Sequence, residues 1–196
     1  MNIVIRDIFS TMIAVLFMAL GLLAGCSATP RMPEGRLGTP EHHTSSGFKL
    51  LRKNYLFHAE REFELALQLN PEYSDAHRGM GLVYGMKRQF QHAFEAMRRA
   101  RDTARTKRQL ALSYVGFMRL YMMEQGDHWL DRVSALFSNA LQFEKDLPEA
   151  YFYMGMAYKK ANRPSEAANA FKKVLEINNG LLAESENELK SLPPSP

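Results

Sequence analysis

One cysteine, Cys26, and one tryptophan, Trp129, are all that the 196 residues hold of either type. A lone thiol closes no disulfide within its own chain, and cysteine-based metal or redox patterns need a second ligand or helper nearby. Cys26 is therefore idle or modified. Strand signals are missing too: beyond Phe48 apolar residues return every three or four positions, never in alternation, so the chain reads as all-α. Enzyme signatures are equally scarce, with no G-x-S-x-G and no H-E-x-x-H. Gly79-Met80-Gly81 falls short of a nucleotide loop, because Tyr84 stands where its third glycine belongs and no strand precedes it. His77 and His92 are able to approach one another within one hairpin, but with His58 they offer no third and fourth metal ligand at a usable spacing. Neither a metal nor a cofactor is expected, and the chain reads as a non-enzyme.

Charge is absent from Ile8 to Gly25, IFSTMIAVLFMALGLLAG, eighteen residues that read as membrane-directed. Small Ala24 and Gly25 precede Cys26, and polar Ser27-Ala28-Thr29-Pro30-Arg31 follow. Leu23-Ala24-Gly25-Cys26 resembles the lipobox of bacterial lipoproteins. The resemblance implies a diacylglycerol on the Cys26 sulfur, cleavage after residue 25 and acylation of the new amino group. Two or three chains, at about 0.8 kcal/mol per buried methylene, hold a protein firmly to a bilayer. By the sorting rule of enteric lipoproteins, Ser27 in place of aspartate implies the outer membrane, facing the periplasm. An uncleaved anchor with Cys26 at the membrane edge is the alternative. Residues 1–25 carry Arg6 and Asp7, so the remainder keeps the formal charge of +4. Nucleic acid is not an expected partner in that compartment.

Residues 26–47 contain Pro30, Pro33, Pro40, Gly35, Gly38 and Gly47 without apolar periodicity, and read as a flexible tether of about 25 Å, at most roughly 70 Å. His42-His43 within it form no closed metal site. The folded part then covers 48–190, with 191–196 as a tail.

Self-similarity organises that part. Aligned without a gap, Ala76 to Ala100 and Ala150 to Val174 match Gly81 with Gly155, Tyr84 with Tyr158, Ala93 with Ala167 and Met97 with Phe171. A glycine within a helix costs about 1 kcal/mol against alanine, so it is expected where two helices approach closely. The pattern resembles the 34-residue tetratricopeptide repeat. The resemblance implies an all-α solenoid of about three and a half to four helix hairpins, over 48–73, 74–107, 108–147 and 148–181, closed by a capping helix over 181–191. The third unit opens with QLALSYVGFMRLYMM, apolar on nearly every side and of uncertain register. Glu124 to His128 read as a turn five or six residues longer than standard. Trp129 behind it is a core plug or a partner anchor. From Arg98 to Lys107 and Arg108 cations cluster, as a solvated helix end or as a patch for an anionic surface.

In that family the first helix of each repeat lines a concave groove. The resemblance assigns Arg78, Leu82, Met86, Phe152, Met156 and Lys159 to it, a pliable apolar strip with cationic borders, suited to a helix or peptide of a protein partner. Leu82 and Met156 stand where some members clamp a C-terminal carboxylate through asparagine, so that clamp is not expected. A lipobox joined to such repeats is similar to type IV pilotins, Flp-type pilus assembly lipoproteins and adaptors of cell-wall hydrolases. The expected function is a membrane-anchored periplasmic adaptor in envelope-machine assembly, with a pilus or secretin role ahead of hydrolase recruitment. A small-ligand carrier or enzyme on a helical solenoid is the rival, and would need a sealed cavity containing His77, His92 and Asp75.

Overall fold

The computed structural model describes residues 38–193. Cys26, the apolar run before it and most of the expected tether lie outside these residues. Among the described residues there are nine helices and no strand: α1 Pro40–Arg52, α2 Leu56–Leu69, α3 Ser74–Met86, α4 Phe90–Asp102, α5 Lys107–Glu124, α6 Trp129–Phe143, α7 Pro148–Lys160, α8 Pro164–Ile177 and α9 Leu182–Lys190. None is long and apolar enough to cross a membrane.

The helices pair as four hairpins, α1/α2, α3/α4, α5/α6 and α7/α8. Three of them turn through the same three-residue link, whose middle residue, Asn54, Arg88 or Asn162, takes the left-handed conformation at φ near 60°. Asparagine tolerates that region better than most residues, which accounts for two of the three.

Within each of these hairpins a glycine on the first helix faces a large residue on the second. A methyl carbon on Gly47 would lie 2.6 Å from the Phe63 ring, one on Gly155 2.7 Å from the Phe171 ring, and one on Gly81 3.0 Å from Met97 Cε. Gly81 and Gly155 therefore sit at helix crossings. The spacing carries a second glycine contact between repeats: a methyl on Gly79 would come within 2.3 Å of Phe63, and one on Gly116 within 2.3 Å of Met97. Phe63 and Met97 thus fill the space between their own hairpin and the next, and this stacks the units.

Gly47 corrects the expected tether. The first repeat opens at Pro40, not near Phe48, and runs a full repeat length to Tyr73. Thr39 caps α1 by accepting a hydrogen bond from the His42 amide at 3.2 Å, and Pro40 sits in the first turn, where its missing N–H costs nothing. His43, Thr44 and Gly47 are buried, and His43 Nδ1 lies 2.8 Å from Glu62 Oε2 on α2. Proline, glycine and two histidines suggest a loop by composition. Here proline starts a helix and glycine admits a ring.

The third unit corrects a second expectation. The link between α5 and α6 spans only residues 125–128; the additional residues are helical, since α5 has 18 residues against 13 for α1, α3 and α7. The equivalent contacts of Gly79 and Gly116 set its register. Trp129 opens α6, half-buried against the second of three apolar clusters.

First helices touch one another from hairpin to hairpin, α1 to α3 to α5 to α7, while second helices reach the next hairpin's first helix. The stack therefore has an inner row of first helices and an outer row of second helices. At its far end α9 packs on α8, and Leu181, Leu189 and Leu192 lie against the third cluster, which contains Phe152, Phe171 and Val174. This covers the outer face of the last hairpin among the described residues.

Candidate protein-binding groove

The inner row presents α1, α3, α5 and α7 side by side, and the six residues assigned to its surface divide into two groups. Leu82 is fully buried in the first apolar cluster and Phe152, 9 % exposed, belongs to the third. Both leave the groove and join the core, because neighbouring helices cover them there. Met86 is half-buried against the first cluster. Arg78 donates from Nη2 to Asp75 Oδ1 at 2.8 Å and lies over the Phe48 ring at 4.4 Å.

Met156 and Lys159 remain at the surface. Together with Arg119, Met122, Met123, Tyr153 and Lys160 they line a concavity of about 500 Å³ between α5 and α7. Lys159 Nζ donates to Glu188 Oε2 at 2.6 Å and to Ser191 Oγ at 2.7 Å, so the closing helix secures that side. Arg119 places its guanidinium carbon 4.6 Å from the centroid of the Tyr153 ring. Burial pulls the Arg119 pKa below its usual value, the nearby Tyr153 raises it, and the Arg78 charge lowers it further. An arginine nevertheless keeps its proton.

Arg119, Met122, Met123 and Tyr153 were not assigned to the groove from sequence. A signal exists in the glycines: aligning Gly116 with Gly79 sets Arg119 opposite Leu82 and Met156 in repeat register, and so on the inner helix row.

Residues 148–181 match the family described as tetratricopeptide repeat. The structure resembles a tetratricopeptide repeat protein from Parabacteroides merdae with a TM-score of 0.61 at 18 % identity, over 77 % of this chain and 56 % of that one. It also resembles a thermophilic TPR protein of Thermus thermophilus, with a TM-score of 0.58 at 17 % identity over 76 % and 79 % of the two chains. The fold is a tetratricopeptide-repeat solenoid. A third likeness, to the Cut9–Hcn1 hetero-tetramer of the APC/C, has a TM-score of 0.57 at 14 % identity and covers 78 % of this chain and 29 % of that one. The chain thus spans just over half of the Parabacteroides protein it matches. No curated protein matches the sequence.

Elsewhere on the solenoid part of the arginine-rich segment is engaged by carboxylates. Arg99 pairs with Glu95 at 3.1 Å, Arg105 with Glu72 at 3.2 Å, and Arg108 bridges Glu144 at 2.6 Å and Glu149 at 2.9 Å. Such exposed pairs contribute about 0–1 kcal/mol each, and they make this stretch a solvated seam between repeats.

His77 and His92 line one pocket of about 240 Å³. Asp75 does not join them; it accepts from Arg78 and from Gln109 Nε2 at 3.3 Å. Among the described residues no group of three His, Cys, Asp or Glu side chains is placed to hold a metal. His77 Nε2 lies 2.7 Å from the Pro71 carbonyl oxygen, and burial lowers the imidazole pKa below 6.5, the Pro71 bond opposing and Arg99 reinforcing the shift. The unfolded chain then binds this proton more readily than the folded one. Stability from neutral His77 is fully present above about pH 6.5 and is lost as the pH falls towards the folded value. A His77→Gln variant is expected to lose less melting temperature than the parent between pH about 7.5 and about 5.5. Equal losses in thermal melts would clear His77 of the effect.

Proposed function

We propose that the protein is a non-enzymatic adaptor, held by lipid on Cys26 at the periplasmic face of the outer membrane, that offers its inner helix row to a partner protein during assembly of an envelope machine. The observation that carries the adaptor reading is the concavity between α5 and α7 on the inner row, where three methionines and Tyr153 surround a guanidinium. Such a surface is apolar enough to gain from covering and is formed largely by flexible side chains that adjust to a segment. Tetratricopeptide-repeat solenoids present protein-binding faces of this kind, which supports a protein partner. The membrane part of the reading rests on Leu23-Ala24-Gly25-Cys26 and on the uncharged run in front of it.

A pilus or secretin component is the partner we favour, and a cell-wall hydrolase is the second reading, since a lipobox with tandem repeats suits both. Purification of the full chain from detergent-solubilised envelopes is expected to bring down a secretin or pilus subunit. Recovery of hydrolases alone would move the assignment to the cell wall, and recovery of no stoichiometric protein would end the adaptor reading. The anchor has its own test: radiolabelled fatty acid is expected on the parent chain and none on Cys26→Ser, and equal labelling of the two would refute it.

A further inference from the structure

Arg119 lies on the third of the four first helices, with the inner surface continuing on either side of it. Of the cations along this row, Arg78 holds Asp75 and Lys159 holds Glu188. Among the described residues Arg119 has no carboxylate or carbonyl acceptor, and its one close polar neighbour is the face of Tyr153. Arg119 is only half-buried, so its donors reach the concavity, and a guanidinium kept without an ion pair on a wall of methionines calls for a reason. Packing does not supply the reason. At the equivalent positions of the flanking repeats stand Leu82 and Met156, and a residue of either kind would fill the space on α5.

We propose that Arg119 is the anchor of the groove, taking the carboxylate of an aspartate or glutamate side chain within a segment of the partner protein, while apolar residues beside that acid rest on Met122, Met123 and Met156. The guanidinium carbon lies over the Tyr153 ring, and the N–H donors of Arg119, bonded to no acceptor among the described residues, are available for two parallel hydrogen bonds with a carboxylate. Because the inner surface runs on past Arg119 in both directions, the acid arrives on a side chain inside a segment and not at a chain end. The concavity of about 500 Å³ is of the size that binding sites for small groups and short segments have. Lys160, at its rim, adds long-range attraction for an acidic segment. This inference rests on the adaptor reading and gives it a chemical specificity.

The test uses the full chain in detergent micelles and short random peptides displayed on phage with no free C-terminus. Selection is expected to enrich an acidic residue flanked by leucine, methionine or phenylalanine. A synthetic peptide of the enriched sequence should lose at least about tenfold in affinity when its acid becomes the amide, lose about as much on Arg119→Met, and lose little more when both changes are made. Arg119→Met should melt within a few degrees of the parent, since the charge it removes has no ion-pair partner among the described residues. Should that variant fold poorly, Arg119→Lys and the acid-to-amide peptide decide the matter, since the lysine keeps the charge and loses the fork. Enrichment of purely apolar peptides, an acid preference that survives Arg119→Met, or no enrichment at all would overturn the inference. The adaptor reading stands apart from these outcomes, because co-purification of a stoichiometric partner by an Arg119→Met chain would sustain it while the anchor failed.

Discussion

Phe63→Ala is expected to lower the melting temperature by roughly 6–20 °C, the equivalent of about 3–5 kcal/mol for a chain of this size. Phe63 is fully buried, and its ring is gripped by two helices that carry glycine where it passes, Gly47 on α1 and Gly79 on α3. It also meets Phe48 edge to face at 5.0 Å. Removing the ring therefore opens a void that two hairpins share, and helices held by their own hydrogen bonds collapse into it only in part. Phe57, 69 % exposed on the same helix, is the control, and Phe57→Ala should cost well under 1 kcal/mol. Comparable losses for the two substitutions in a thermal or urea melt would mean that Phe63 does not join the first two repeats.

The second large effect separates two glycines that look alike in distance. A methyl on Gly79 would lie 2.3 Å from a carbon of the Phe63 ring, and one on Gly116 2.3 Å from the Met97 sulfur. A phenyl ring clamped on both faces has nowhere to turn, whereas a methionine has three rotatable bonds and a soft sulfur with which to move aside. Gly79→Ala is expected to destabilise by about 1–3 kcal/mol, the usual cost of overpacking. For Gly116→Ala, the gain of about 1 kcal/mol from replacing glycine within a helix offsets most of the crowding. Urea melts of both variants give the comparison, and a Gly116→Ala loss as large as that of Gly79→Ala would contradict the account of how the repeats nest.

How far the site was legible follows from the same glycines. Gly81 and Gly155 could be matched through their shared surroundings, a tyrosine three residues on and an alanine twelve residues on, and both lie at crossings in the structure. Gly47 has a lysine and two leucines where the tyrosine would help, so its equivalence emerged only when Phe63 was seen lying against it. Leu82 and Met156 occupy one repeat position, yet Leu82 is fully buried and Met156 lines the concavity. A periodic pattern assigns a residue to a helix face. It does not say how closely the next helix covers that face, and between α3 and α5 the cover is complete over Leu82.

The length of α5 illustrates the same division. Six extra residues between recognisable positions are equally compatible with a long turn or a long helix, because QLALSYVGFMRLYMM is apolar on nearly every side and carries no stop signal of its own. Cover from α3, α4, α6 and α7 decides for the helix, which then ends at Gln125 in the left-handed conformation.

By itself the sequence determined that the chain is helical, that its helices pair in a repeating hairpin, and where small residues let those helices approach, since periodicity and side-chain size act locally and recur in register. Only the tertiary structure decided that the end of the expected tether, Pro40 to Gly47, opens the first helix, that Leu82 and Phe152 are core, and that Arg119 stands over Tyr153 among methionines with no carboxylate of its own. Those outcomes depend on which surfaces meet across hairpins, and a pairwise meeting of distant residues leaves no mark in the spacing of either one.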